Sequence, residues 1–154
     1  MKLLADKEIA TFWEEFGTGR TMVLSTALRD EVTSRMMSVV AIGGRLFFQT
    51  DCSSRKYPQL IGNPKVALCT DNIQIEGLAR EEGTPAQNEA FTVAYRMCFP
   101  GSSDSYSALA DERVFSVTPV RIERWKYLAG KPYLEVLNLS DGNYQLDACQ
   151  CCEK

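Results

Sequence analysis

RLFFQTDCSSRKYPQLIGNPKVALC, residues Arg45 to Cys69, decides the reading of this chain. An apolar, β-like run ends in Thr50, opens into the turn Ser53-Ser54-Arg55-Lys56, and passes through a short helical stretch to the stop Asn63-Pro64 and a second β-like run. That order suits an anion held at the edge of a sheet. The strand delivers Thr50, the serines offer hydroxyls and backbone N–H groups near a helix start, and Arg55 and Lys56 bring charge suited to a phosphate. Turns of this composition also decorate solvated surfaces, so the stretch alone leaves both readings open.

Upstream, Asp6 is placed to cap a first helix whose apolar positions Ile9, Phe12, Trp13 and Phe16 recur at helical spacing, with Gly17 and Gly19 ending it. From Thr21 the pattern turns to β: Met22 to Leu28, a polar turn at Arg29-Asp30-Glu31, then Val32 to Ile42. Gly43-Gly44 before Leu46-Phe47-Phe48 is a hairpin signal, because paired glycines accept the positive φ values of a tight primed turn. Alternation places Arg35, Met37 and Val39 on one strand face and Met36, Ser38 and Val40 on the other.

Downstream, Ser53 to Gly62 reads as a short helix whose start is open. A start at Ser54 leaves Pro58 just past the first turn, and a start near Tyr57 puts it at the first helical position. Val66 to Thr70 and Ile73 to Ala79 read as strands broken at Asp71-Asn72. Thr84-Pro85 opens a helix to about Met97, Phe99 to Asp104 reads as the main loop, and Tyr106 to Asp111 as a further short helix. Val114 to Tyr127 is a long β-like run in which Pro119 demands an edge or a bulge. A turn at Gly130-Lys131-Pro132 leads into Tyr133 to Leu139. About six or seven strands with interposed helices predict an antiparallel barrel.

The 154 residues suit a single domain, 1–148, with a cysteine-bearing tail, 149–154. A net charge of -3 gives no reason to expect nucleic acid or an anionic membrane as a partner. No apolar run reaches the roughly 18 to 20 residues of a membrane span and the N-terminus lacks a signal-peptide layout, so the expected location is cytoplasmic. The six cysteines then read as thiols rather than a disulfide framework, with Cys52, Cys69 and Cys98 as buried or half-buried small hydrophobes. Cys149, Cys151 and Cys152 follow no recognised zinc spacing and read as a mobile thiol-bearing terminus. The chain has no histidine, which removes the commonest general base and metal ligand.

The stretch from Gln49-Thr50 through Ser54-Arg55-Lys56 to Asn63-Pro64-Lys65-Val66 resembles the pyridoxamine 5'-phosphate oxidase-like family of FMN-binding split barrels. Two further pieces match in order: Arg35-Met36-Met37-Ser38-Val39, and Pro119-Val120-Arg121-Ile122-Glu123-Arg124-Trp125, like the family's Pro-x-x-Ile-Glu-x-Trp strand. The resemblance implies a mainly β fold, an antiparallel split β-barrel of Greek-key type with two or three peripheral helices. It also implies FMN as cofactor and a homodimer whose partner completes the pocket. Arg35, Thr50, Ser54, Arg55 and Lys56 would then hold the ribityl phosphate, and the backbone of Met36, Met37 and Ser38 would line the flavin edge. Gln49 stands where the oxidases carry an aromatic, and Asn72 falls near their flavin-contacting glutamine. Trp125 reads as core or interface on general grounds and as a flavin neighbour by resemblance.

The chain also departs from the oxidases. Val40 replaces their lysine, Lys131-Pro132-Tyr133 stands near the place of their Arg-x-His substrate element, and the loop after Tyr95 lacks their arginine-rich motif. Pyridoxamine phosphate oxidation is therefore not expected. What remains is a small FMN-dependent oxidoreductase fed by a donor such as a reduced nicotinamide, with a flavin-binding sensor or carrier, or a deazaflavin-dependent reductase, as the alternatives. No catalytic side chain is expected, because the flavin carries the chemistry.

Overall fold

In the computed structural model, which describes residues 2–149 and side chains from Ala5 onward, α1 spans Lys2–Phe16 and β1 spans Gly19–Leu28. β2 (Glu31–Ile42), β3 (Arg45–Asp51), α2 (Lys56–Gly62), β4 (Lys65–Thr70) and β5 (Ile73–Gly83) follow. After a 3₁₀ turn at Pro85–Gln87 come α3 (Glu89–Cys98), α4 (Pro100–Tyr106), β6 (Glu112–Leu128), β7 (Lys131–Asn138) and β8 (Asn143–Ala148).

The strands pair antiparallel in the order β3-β2-β1-β4-β5-β6-β7-β8, and β3 pairs back onto β6. This closes the first six strands into a barrel and leaves β7 and β8 as an extension. One long strand serves both purposes: residues 112–117 of β6 pair with β3, whereas residues 121–128 pair with β7. Closure pairs every strand of the barrel and so removes the free edges that invite aggregation. Phe12, Met22, Leu24, Leu46, Phe48, Leu68, Ile75, Phe115, Val117 and Ile122 fill its interior.

Local chemistry explains most of the turns. Gly43 and Gly44 have φ of 58° and 77°, the values a two-residue primed hairpin requires. Arg29 and Asp30 adopt the same left-handed backbone, at 51° and 66°, without glycine. Pro58 falls at the third residue of α2, inside the first turn, where a backbone N–H would have no intrahelical partner to lose. Pro119 sits in a central strand, and its alternative accommodation is realised: the β5–β6 register slips between Glu76 and Gly77, opposite Pro119.

Several sequence expectations are corrected. Asp6 lies within α1 and does not cap it, since the helix starts earlier. The helix expected from Thr84 is split, because Asn88 spends its amide on the carbonyls of Glu82 and Thr84 and separates the 3₁₀ turn from α3. Pro100 starts α4 where a loop was expected, and residues 107–111, expected to be helical, form turns. β8 was not anticipated at all. Cys69 is exposed on β4 rather than buried.

A buried charge cluster fastens the extension to the barrel. Arg124 of β6 donates to Glu135 of β7 at 2.9 Å and pairs with Glu15 of α1, with its guanidinium 5.2 Å from the Phe12 ring. Tyr144 of β8 and Lys126 complete the shell around Glu135, at 2.9 and 2.8 Å.

Gly77 is the tightest point of the bulge. A Cβ there would stand 2.6 Å from Val117 Cγ1 and 2.7 Å from the Thr118 carbonyl oxygen. Gly77→Ala is expected to cost about 1 to 3 kcal/mol through overpacking against backbone that cannot yield freely. Urea unfolding reads this, and an unchanged midpoint would show that the bulge absorbs a methyl group.

Candidate functional site

Barrel closure brings the C-terminal end of β3 beside the start of α2, the start of β6 and helices α3 and α4. Between them lies a cavity of about 220 Å³ lined by Gln49, Thr50, Asp51, Ser54, Lys56, Tyr95, Ser102, Tyr106 and Glu112. Thr50 is buried and its hydroxyl stands 2.9 Å from that of Ser54, which in turn donates to the Asp51 carbonyl at 2.8 Å. The turn is therefore held by its own hydroxyls. Asp51 accepts from the Ser53 hydroxyl and N–H, which hold its carboxyl below the usual range.

Gln49 is 6% exposed, accepts from Ser107 through Oε1 at 2.9 Å, and leaves Nε2 without a partner among the described residues. A buried, unsatisfied amide costs about 1 to 3 kcal/mol. A ligand acceptor in the cavity would satisfy it.

Of the two central cations, Lys56 lines the cavity and Arg35 does not. Arg35, half-buried on β2, donates to Thr26 Oγ1 at 2.8 Å, Thr33 Oγ1 at 2.5 Å, Gln59 Oε1 at 3.2 Å and the Leu24 carbonyl at 3.3 Å. All four acceptors are uncharged. Gln59 Oε1 also accepts from the Thr26 and Thr33 hydroxyls, at 2.6 and 2.8 Å, so this glutamine locks α2 to β1 and β2. Among the described residues neither Arg35 nor Lys56 forms an ion pair with a carboxylate. Burial, and then Arg35, lower the Lys56 ammonium from its ordinary value, against the pull of Glu112 and Asp51. Burial, and then Arg55, lower Arg35.

Arg55 behaves differently from its neighbour. It is exposed and reaches Glu31 at 3.4 Å, outside the cavity. Ser38, on β2, interacts with Tyr95, whose hydroxyl is pushed up by burial despite help from Ser102 and Ser38. Met37 packs against the core and Met36 is exposed, so these two point to opposite faces as the alternation requires.

Asn72 and Trp125 form a second group. The Asn72 amide donates to the Trp125 carbonyl at 2.6 Å, the Trp125 N–H donates to the Asn72 carbonyl at 3.1 Å, and both line a shallow surface depression with Glu15 and Lys126. Trp125 is 44% exposed and therefore not a core residue. Neither residue lines the Thr50–Lys56 cavity.

Sequence reasoning missed Glu112, Tyr95, Ser102 and Tyr106. Their contribution depends on strand pairing between β3 and β6 and on the packing of α3 and α4, and no local signal announces these. Of the tail, the Cys149 N–H donates to the Pro132 carbonyl at 3.0 Å, and Cys151 and Cys152 lie outside the described residues. Among the described residues no cluster of potential metal ligands occurs, and no helix is long and apolar enough to cross a membrane.

No family model and no curated protein matches the chain in sequence. Solved structures do match in fold. A pyridoxamine 5'-phosphate oxidase-related, FMN-binding protein from Nostoc punctiforme aligns over 85% of this chain and 88% of its own, with 14% identity and a TM-score of 0.63. General Stress Protein 26 from Bacillus anthracis aligns over 88% and 98%, with 24% identity and a TM-score of 0.59. An F420 reductase aligns over 66% and 87%, with 21% identity and a TM-score of 0.54. The chain has the fold of the pyridoxamine 5'-phosphate oxidase-like split barrels, in a divergent sequence.

Proposed function

We propose that this chain is a flavin-binding member of that split-barrel group which holds FMN by its phosphate at the start of α2 and works as a small oxidoreductase. One observation carries the reading: Lys56, a half-buried cation without a carboxylate partner among the described residues, lines one cavity with the Thr50 and Ser54 hydroxyls and the unsatisfied Gln49 amide, and Arg35, likewise half-buried and unpaired, lies close enough to lower the Lys56 pKa. Two such charges raise each other's free energy, and a phosphate dianion relieves both. The residues fit the group on this side of the cavity.

In this reading Lys56 and Ser54 bind the phosphate directly, Arg35 adds charge while anchored by Gln59, and Arg55 lies at the rim. Met36, Met37 and Ser38 present strand backbone toward the ring. Asn72 and Trp125 complete the site from the other subunit of a homodimer, which accounts for their distance from the phosphate end. The exposed apolar side chains of Leu78 and Val120 on the barrel wall support such an assembly. Bound flavin supplies hydride or electron transfer, with a reduced nicotinamide as the donor class, and the protein supplies orientation and charge. No histidine is needed. A cytoplasmic location accords with this chemistry.

The test is the absorbance spectrum and mass of the small molecule released on denaturing the purified protein, followed by steady-state oxidation of a reduced nicotinamide. FMN with turnover is the expected result. A deazaflavin would move the chain to the reductase alternative, a single reduction without turnover would make it a carrier, and no flavin of either kind under any loading would overturn the reading.

A further inference from the structure

The same cavity carries a feature that opposes an anion. Glu112, the first residue of β6, is 4% exposed and lines the cavity together with Lys56. Barrel closure pairs it directly with Asp51 across β3 and β6, so two carboxyl-bearing residues line the same cavity as the Lys56 ammonium. A phosphate held at Ser54 and Lys56 would be repelled by an ionised Glu112 in the same cavity, and burial of that carboxylate limits how far water screens the repulsion.

We propose that Glu112 makes this cavity selective for an anion that arrives with a proton: the site takes a phosphate monoester, FMN in the reading above, while Glu112 becomes neutral. The inference rests on the proposed flavin site and adds to it a residue that neither motif nor fold supplies. A neutral Glu112 turns from a repelling group into an O–H donor toward the ligand or its neighbours. The groups facing it are Asp51 of β3, Lys56 of α2, Tyr95 of α3 and Tyr106 of α4, with Arg113 adjacent on β6. Burial, then Asp51, already raise the Glu112 carboxyl above its ordinary value, with Lys56 opposing, so neutralisation starts from a favourable point. Lys56 and Asp51 titrate in the same direction on anion binding, because a bound phosphate also favours their protonated forms.

The sign follows from linkage. Below the pH at which free-protein Glu112 ionises, the carboxyl is neutral and adds nothing to the pH dependence of binding. Above it, each pH unit costs up to tenfold in affinity until the bound-state value is passed.

The experiment compares FMN affinity by flavin fluorescence for the wild type and Glu112→Gln between pH 5.5 and 8.5. The ratio of the two dissociation constants cancels titration of the ligand phosphate, whose second pKa is about 6. Expected is a wild type at least about tenfold weaker than Glu112→Gln at the alkaline end, with the ratio moving toward one as the pH falls. Calorimetry in buffers of different ionisation enthalpy at pH 8 should find more proton uptake in the wild type than in Glu112→Gln. Glu112→Met, close in volume, serves as a second neutral variant should the amide not fold.

A constant ratio with both proteins binding FMN, or equal proton uptake in both, would assign the linkage to the other facing groups and overturn the inference while leaving the flavin reading intact. No FMN binding by any of the folded proteins across the range would overturn both. Riboflavin, which lacks the phosphate, should show no Glu112-dependent pH effect; an equal effect would place the repulsion elsewhere.

Discussion

Replacing Lys56 with alanine is expected to weaken FMN binding by about 1.5 to 3 kcal/mol, about tenfold to a hundredfold, through loss of a charge-assisted contact to the phosphate. The ammonium is half-buried, lacks an ion-pair partner among the described residues and stands beside the hydroxyls of Thr50 and Ser54. Three comparisons make the result specific. Riboflavin affinity should stay unchanged, since the lost contact is to the phosphate. Arg55→Ala should have a small effect, because that guanidinium is exposed and paired with Glu31, a surface arrangement worth about 0 to 1 kcal/mol. Raising the salt concentration should narrow the difference between wild type and Lys56→Ala less than it would for an exposed cation. Fluorescence titration of FMN reads all three, and equal affinity of Lys56→Ala and wild type would remove Lys56 from the site.

The second large effect concerns stability. Glu135→Ala should destabilise the fold by about 3 kcal/mol, the low end of what breaking a buried ion pair costs, because Arg124 retains Glu15. The loss reaches further than one bond: the Tyr144 hydroxyl and the Lys126 ammonium also give up their acceptor, and the attachment of β8 to β7 weakens with them. Urea unfolding with an unchanged m-value is the measurement, and a shift below about 1 kcal/mol would show that the cluster contributes little beyond packing.

The pH dependence has a definite sign. Burial by itself would raise the Glu135 carboxyl, but hydrogen bonds from Lys126, Arg124 and Tyr144 outweigh it and hold the group below its ordinary value. Its contribution is therefore complete above the unfolded-state value and is lost as the pH falls through the folded-state value. The gap between wild type and Glu135→Ala should narrow in acid, and a gap that widens in acid would contradict the assignment.

Much of the architecture was legible from residues alone. Gly43-Gly44 announced its hairpin because a two-residue reversal needs a special backbone, and that requirement is local; the polar run Arg29-Asp30-Glu31 announced a turn by polarity, and the structure narrows it to Arg29-Asp30. Pro119 announced a disturbance in a long strand for an equally local reason, its missing N–H, but not whether an edge or a bulge would absorb it. The structure chose the bulge because β6 is central and Gly77 opposite it has no side chain. The failures cluster between Thr84 and Asp111. There, propensity favoured one continuous helix and then a loop, and the Asn88 amide bonds to Glu82 and Thr84, with Pro100 at the first position of α4, decided otherwise. β8 escaped notice because the pattern of Asn143–Ala148 is mostly exposed and offers no strong alternation.

The sequence by itself determined that Thr50, Ser54 and Lys56 come together, since they are near neighbours joined by a tight turn. It also determined that the chain carries cations suited to a phosphate and no histidine to compete for another chemistry. Tertiary structure alone decided which cations face inward. The exact start of α2 turns Lys56 into the cavity and Arg55 out to Glu31, and one residue of helix phase rotates a side chain by about 100°. It alone placed Glu112 against Lys56, because pairing between β3 and β6 joins segments far apart in the chain, and no local periodicity encodes which distant strand closes a barrel.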